Sequence, residues 1–207
     1  MPTDAQVRAE NFKKMLEDKI RKLVVEFAEG QISREQFHAL YERYSSRLMI
    51  ANEALISGNP DVVEVAMGGP PTIAVKNASM GRAMGMIIYH HNSSLMIETL
   101  GEFDVPAERL VPTLSEFSLR IGSKQHVERH SERAEGRRWL LYNPGQHTTV
   151  VTLFLNEPSM MQMREIARLH HDFEMANETA LRRASVDGST LAYPFIAFVA
   201  RKYGSPE

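Results

Sequence analysis

Cysteine is absent from this chain of 207 residues. That excludes disulfide scaffolds, cysteine nucleophiles, zinc ribbons and iron–sulfur clusters held by thiolates. It also fits a reducing compartment, so a cytoplasmic location is expected. Long apolar runs are lacking too. The longest, such as Gly85 to Tyr89 and Val150 to Leu155, fall well short of the ~20 residues a membrane helix needs, and no membrane span is expected. The opening residues MPTDAQVRAENFKK hold no apolar h-region, so no signal peptide is expected. Nor is there a basic excess: 24 Lys and Arg face 26 Asp and Glu, for a net charge of −2. Residues 1–58 balance as well, with nine of each sign. A general nucleic-acid binder carries a basic face, and none is predicted here.

What is present is globular composition, 43% hydrophobic and 24% charged, on a chain long enough to bury a core without staples. Phe12, Met15, Leu16, Ile20, Leu23, Val24 and Phe27 recur at spacings of three and four, which places them on one face of a helix. Gly30 supplies its C′ residue. Ser33 and Gln36 then form a capping box, with Ile32 and Phe37 as a hydrophobic staple. Phe37, Leu40, Tyr41, Tyr44, Leu48, Ala51 and Leu55 continue the stripe until Gly58-Asn59-Pro60 ends it. Two helices with so tight a connection predict an antiparallel hairpin over residues 1–58. One seam cannot bury all of its apolar surface, so the remainder is expected to pack on the second domain or on another chain. Residues 59–72 read as a linker. Val62, Val63 and Val65 could form a brief strand there, and Gly68-Gly69-Pro70-Pro71 marks the domain boundary.

From residue 73 the pattern becomes mixed. Lys76 to Gly85 could be a short helix packed closely through Gly81 and Gly85. Met86 to Tyr89 and Leu95 to Glu98 flank the turn residues His91 to Ser94 and predict a β-hairpin. Asp104 is the expected cap of a helix with Pro106 in its first turn and Leu110, Leu114, Phe117 and Ile121 inside. Pro112 removes an N–H there, which predicts a kink or a start nearer Leu110. Residues 124–138 are strongly charged and predict an exposed edge strand or hairpin arm. Trp139 to Tyr142 and Thr148 to Leu155 read as strands around an Asn143-Pro144-Gly145 turn. A second capping box, Ser159 and Gln162, opens a long helix reaching about Arg183, with Met163, Ile166, His170 and Phe173 inside. The tail from Leu191 to Val199 is apolar enough to dock as a strand or a short helix. The fold class predicted is α+β: an N-terminal antiparallel helical hairpin, then a five-stranded, mostly antiparallel sheet flanked by helices over 73–207.

Catalytic motifs do not emerge. There is no G-x-S-x-G elbow, and the Gly81–Gly85 stretch has neither phosphate-binding pattern and precedes a strand, where those motifs follow one. A dispersed Ser/His/Asp triad stays open, because triads are defined by geometry. Eight histidines invite a metal reading. His126 and His130 would share a helical face, but as extended chain they lie about 13 Å apart. The adjacent pairs His90-His91 and His170-His171 point in different directions. Solvated or structural histidines are expected, with no metal and no cofactor. Glu98, Glu102 and Asp104 read as a solvated rim. The run Glu128 to Arg138 alternates in sign, as a solvated face does. Its functional reading is a partner-binding surface using Arg133, Arg137 and Arg138. Methionines near Ser159, notably Met160 and Met161, are adaptable core filler or, if exposed, part of such an interface.

The order of elements from about residue 76 to 183 resembles the roadblock/dynein light-chain superfamily, akin in architecture to profilin and longin-like domains. The resemblance is carried by the hairpin Gly85–Thr99, the helix after Asp104 to Leu110, the strands Arg138–Tyr142 and Thr148–Phe154, and the helix opening at Glu157-Pro158-Ser159. The charged insert at 124–138, Pro112 and the helical hairpin depart from a minimal member. The resemblance implies a non-enzymatic module: a homodimer or heterodimer joined through a helix and a sheet edge, serving to scaffold or regulate a small Ras-like GTPase or other signalling partner. A fold-level likeness does not fix function. A GAF- or PAS-like small-ligand sensor is the alternative, motivated by helices flanking a mixed sheet and by the bends at Pro112 and Gly136.

Overall fold

The structure is a computed structural model that describes residues 4–57 and 71–195. The stop at Gly58–Pro60, the short strand expected at Val62–Val65 and the glycines of the expected boundary lie outside the described residues. The chain divides into two compact units, Met1–Met80 and Gly81–Glu207.

The first unit is the hairpin with a short third helix. Helix α1 (Asp4–Ala28) ends as expected: Gly30 takes φ +74°, its N–H bonds Phe27 O, and Gln31 N–H bonds Glu26 O, both at 2.9 Å, the paired bonds of a Schellman cap. Helix α2 (Arg34–Ser57) opens on the predicted capping box. Gln36 N–H donates to Ser33 Oγ at 3.2 Å and Ser33 N–H to Gln36 Oε1 at 3.0 Å. The seam is narrower than the predicted stripes. Phe12, Leu16, Leu23, Leu40, Tyr44, Ala51 and Ala54 are buried, while Met15, Val24, Phe27 and Tyr41 stay exposed. Two helices meet along one line, and positions flanking it face outward.

Helix α3 (Thr72–Ala78) belongs with this hairpin. Gln36 Nε2 donates to Lys76 O at 3.0 Å, and Lys76 Nζ pairs with Glu26 at 2.8 Å. These bonds move the division of the chain from the Gly68–Pro71 break to Met80/Gly81. They also correct the helix expected over 76–85, which ends at Ala78, with a strand beginning at Arg82. The close packing expected at its glycines is real but arises differently. A Cβ on Gly85 would sit 2.3 Å from Glu102 O, and one on Gly81 would sit 2.8 Å from Glu157 O.

The second unit is α+β. Strands β1 (Arg82–His90), β2 (Leu95–Gly101), β3 (His130–Arg133), β4 (Arg138–Pro144) and β5 (Thr148–Leu155) form one antiparallel sheet in the order β2-β1-β5-β4-β3. Helix α4 (Ala107–Gly122) covers one face, where Leu110, Leu114 and Phe117 meet Ile87, Tyr89, Leu140, Tyr142, Val151 and Leu153. Helix α5 (Met160–Leu181) covers the other, where Ile166, Leu169 and Phe173 meet Met86, Ile88, Trp139, Leu141, Val150 and Phe154. Strands β1, β4 and β5 are therefore buried on both sides, which explains their unbroken apolar runs.

Several local expectations change. Asp104 does not cap α4; Pro106 holds that position without a side-chain bond, and Asp104 instead receives Arg138. The helix starts at Ala107 and runs through Pro112. The charged 124–138 segment becomes the four-residue edge strand β3 and its flanks. After α5, a 3-10 turn (Gly188–Thr190) leads to buried Leu191 and Phe195, so the described part of the tail docks without forming a strand. No helix among the described residues is long and apolar enough to cross a membrane.

Candidate functional site

Chemistry gathers at the two ends of the sheet. The residues predicted as a partner surface lie at the end where β4 begins. Arg138 places Nη1 2.6 and 2.8 Å from the two oxygens of Asp104, so its charge is largely engaged within the chain. Arg133 Nε donates to Gly136 O at 3.0 Å. Arg137 is exposed, and its carbonyl accepts Asn156 N–H at 2.7 Å. That bond brings the arginine turn beside the junction leading into α5. There the Ser159–Gln162 capping box is closed in both directions, and Met160 and Met161 stand 44% and 52% exposed in the first helical turn. Arg129 Nη1 also reaches Met163 O at 3.3 Å. The structure thus brings Arg137, Met160 and Met161 to one end of the sheet and ties Arg133 and Arg138 into its framework. Glu102 and Asp104 are exposed at the same end.

The opposite end is built from histidines. β1 finishes with His90, and His91 follows in the turn on the other side of the sheet. On the α5 side His90 is fully buried. Ser93 N–H donates to its Nδ1 at 3.3 Å, which leaves Nε2–H to donate to Leu181 O at 2.8 Å. This ties the β1–β2 turn to the end of α5. Beside it lies a relay whose directions are set by its ends. Asn143 Nδ2–H donates to His170 Nδ1 at 2.7 Å, and His170 Nε2–H donates to Thr148 Oγ1 at 2.7 Å. The Thr148 hydroxyl donates to Glu174 Oε1 at 2.8 Å. Glu174 also accepts the backbone N–H groups of Gln146, His147 and Thr148, each at 2.8 Å.

Burial sets the protonation states. It lowers His170 to about 4 despite the nearby Glu174 carboxylate, so the imidazole is neutral, as the relay requires. Burial alone would raise Glu174. The attraction that a protonated His170 would exert and the hydrogen bonds from His147, Gln146 and Thr148 outweigh it and hold the carboxyl below its ordinary range. Both His170 ring nitrogens, the Thr148 hydroxyl and both Glu174 oxygens have hydrogen-bond partners within the chain. Thr148 is not a free nucleophile; the relay is a latch that fastens the β4–β5 turn to α5.

On the α4 side, the same end of the sheet carries a solvent-facing cleft of about 820 Å³. His91, His126, His147, Lys124 and Arg182 line it. His91 Nε2 lies 2.9 Å from Thr149 Oγ1, and burial lowers this imidazole to about 4. The Gln146 backbone also acts on this ring as a hydrogen-bond partner, and His147 Nε2 is buried with none. His130, by contrast, stacks on Tyr142 from β3. No three His, Asp or Glu side chains among the described residues converge as a metal site.

Sequence reading placed His170 inside and separated His90 from His91, but it missed Glu174, Thr148 and the cleft. The available signal was the i, i+4 spacing of His170 and Glu174, which puts both on one helical face. Nothing in the spacing pairs them with a turn more than twenty residues earlier. No protein-family model, curated protein or solved structure matches the chain.

Proposed function

We propose that the second unit is a roadblock-like interaction module that pairs with a second copy and offers the joint surface to a small Ras-like GTPase or another signalling protein in the cytoplasm. The observation that carries this reading is the side formed by α4 and β3. Among the described residues, strand β3 is hydrogen-bonded only to β4, leaving an outer edge. Arg109 of α4 donates to the carbonyl of Arg133 on β3 at 3.2 Å, joining helix and edge. Helix α4 also exposes Val111 by 48% and Leu119 by 73%. An open strand edge and exposed apolar side chains on one module each suit pairing with a protein surface. Light scattering should find a dimer, and the double substitution Val111→Glu, Leu119→Glu should give a monomer with unchanged circular dichroism. A strict monomer for the parent chain at high micromolar concentration would exclude the reading. A pull-down with a nucleotide-loaded small GTPase from the same genome tests the partner.

The alternative, a GAF- or PAS-like small-ligand sensor, draws on one observation, the cleft beside His91 and His147. Side chains fill the space between the sheet and both helices, so a ligand would sit at this rim and not inside the core.

A further inference from the structure

Three serines of the chain have an arginine three residues before them: Ser46 after Arg43, Ser123 after Arg120 and Ser185 after Arg182. Ser185 alone has a second arginine, Arg183, two residues before it, and the apolar Val186 follows. Guanidinium groups at such spacing form a charge pattern that a protein kinase with carboxylates along its substrate groove reads, each planar fork taking a carboxylate.

The surroundings of the three serines differ. A kinase must set the hydroxyl in line with the γ-phosphate of ATP, which a segment free to extend allows and a helix withholds. Ser46 lies within α2, and Ser123 closes the end of α4 with its N–H on Leu119 O. Arg120 is engaged by Glu116 and by the carbonyl of His126. Ser185 instead lies in the irregular stretch between α5 and the 3-10 turn, where residues 182–185 are all exposed. Helical hydrogen bonding stops with the N–H groups of Arg182 and Arg183, which bond Glu178 O and Ala180 O. Among the described residues, Ala184, Ser185 and Val186 make no hydrogen bond through backbone or side chain. The ends of the stretch are fixed: Leu181 O accepts from His90, and Asp187 Oδ1 accepts the Ser189 N–H and hydroxyl at 3.0 and 2.7 Å. Between them, Val186 packs half-buried on the α5-side core. Extending residues 184–186 therefore breaks no hydrogen bond of theirs and withdraws one valine.

Both arginines are open to a partner. Arg182 pairs with Glu178 at the exposed end of α5, an i,i+4 surface pair of little strength. The Arg183 side chain has no ion pair or hydrogen bond among the described residues.

We infer that Ser185 is a phosphorylation site, the target of an arginine-directed serine kinase. Ser185 Oγ bonds the γ-phosphorus of ATP, the bond from that phosphorus to the β,γ-bridging oxygen breaks, ADP leaves, and the hydroxyl proton passes to a kinase carboxylate. Arg182, Arg183 and Asp187 sum to +1, and a phosphate of about −2 turns this stretch to about −1. The site stands apart from pairing through β3.

The test incubates the folded full chain with magnesium ATP and the catalytic subunit of cyclic-AMP-dependent protein kinase, which selects arginine at these two positions. Intact mass should show one added phosphate, and fragmentation should map it to Ser185. Ser185→Ala should take up none. Arg183→Ala changes an exposed side chain, so it should fold as the parent does. It should be phosphorylated about tenfold more slowly, the loss of one charge-assisted contact. A chain left unmodified, a phosphate placed on any other residue, or a folded Arg183→Ala that reacts as fast as the parent would each overturn the assignment.

Discussion

The carboxylate of Glu174 takes three backbone N–H groups and one hydroxyl, and those bonds place the β4–β5 turn against α5. Glutamine at this position is close in shape but supplies one neutral acceptor oxygen and an NH2 that cannot accept. With the amide oxygen in the Oε1 position, the bond from Gln146 N–H to Oε2 would lose its acceptor, and the other three would lose charge assistance. Glu174→Gln should therefore lower stability by about 2–3 kcal/mol, measured by denaturant unfolding. Protection of the amides of residues 146–148 from hydrogen exchange should drop most. A loss spread evenly over the sheet would mean the carboxylate does not hold the turn. None of this was visible residue by residue: the sequence shows a histidine and a glutamate one turn apart, and the turn they fasten lies elsewhere in the chain.

Helix α4 shows how an element can override a local signal. Pro112 sits well inside Ala107–Gly122 and deprives the carbonyl of Glu108 of its helical donor. Leu110, Leu114 and Phe117 bury their side chains completely or nearly so against the sheet, and that burial holds the helix together across the proline. Pro112 is exposed, so Pro112→Ala can restore the N–H without disturbing the core. We expect it to raise stability by about 1–2 kcal/mol, the helical gain less the extra freedom of the unfolded chain. Thermal unfolding followed by circular dichroism checks this. An unchanged midpoint would show that the helix already tolerates the proline at no cost. The capping boxes behave in the opposite way. Ser33/Gln36 and Ser159/Gln162 are local in sequence and local in space, so both appear where the spacing predicts them.

At the scale of the whole molecule, buried imidazoles link stability to pH. Burial lowers His170 and His91 from 6.5 to about 4. The unfolded chain takes up these protons near pH 6.5, while the folded chain resists until about 4. Their contribution is therefore complete above about pH 6.5 and is lost as pH falls toward 4. For His170 alone the loss is about 3 kcal/mol. Glu174, held below its ordinary range, adds a loss of the same sign as pH falls below 4.5. The second unit should thus unfold at progressively lower urea as pH drops from 6.5 to 4, and His170→Gln should flatten that dependence. A profile flat over that window in the parent chain would show that these rings titrate freely.

The helical hairpin, the alternation of strands and helices and the α+β class were written in the sequence itself. Each rests on interactions within one or two turns of chain: apolar spacing, a glycine in the left-handed region after α1, and a serine–glutamine box before each of α2 and α5. Tertiary structure alone decided the rest. It assigned α3 to the hairpin through Gln36 and Lys76, and it turned Asp104 from an expected cap into the partner of Arg138. It brought His91, Lys124 and His147 to a common cleft. These outcomes depend on which distant backbone groups and charges meet once the sheet closes, and periodicity along a chain carries no record of distances between residues far apart in sequence.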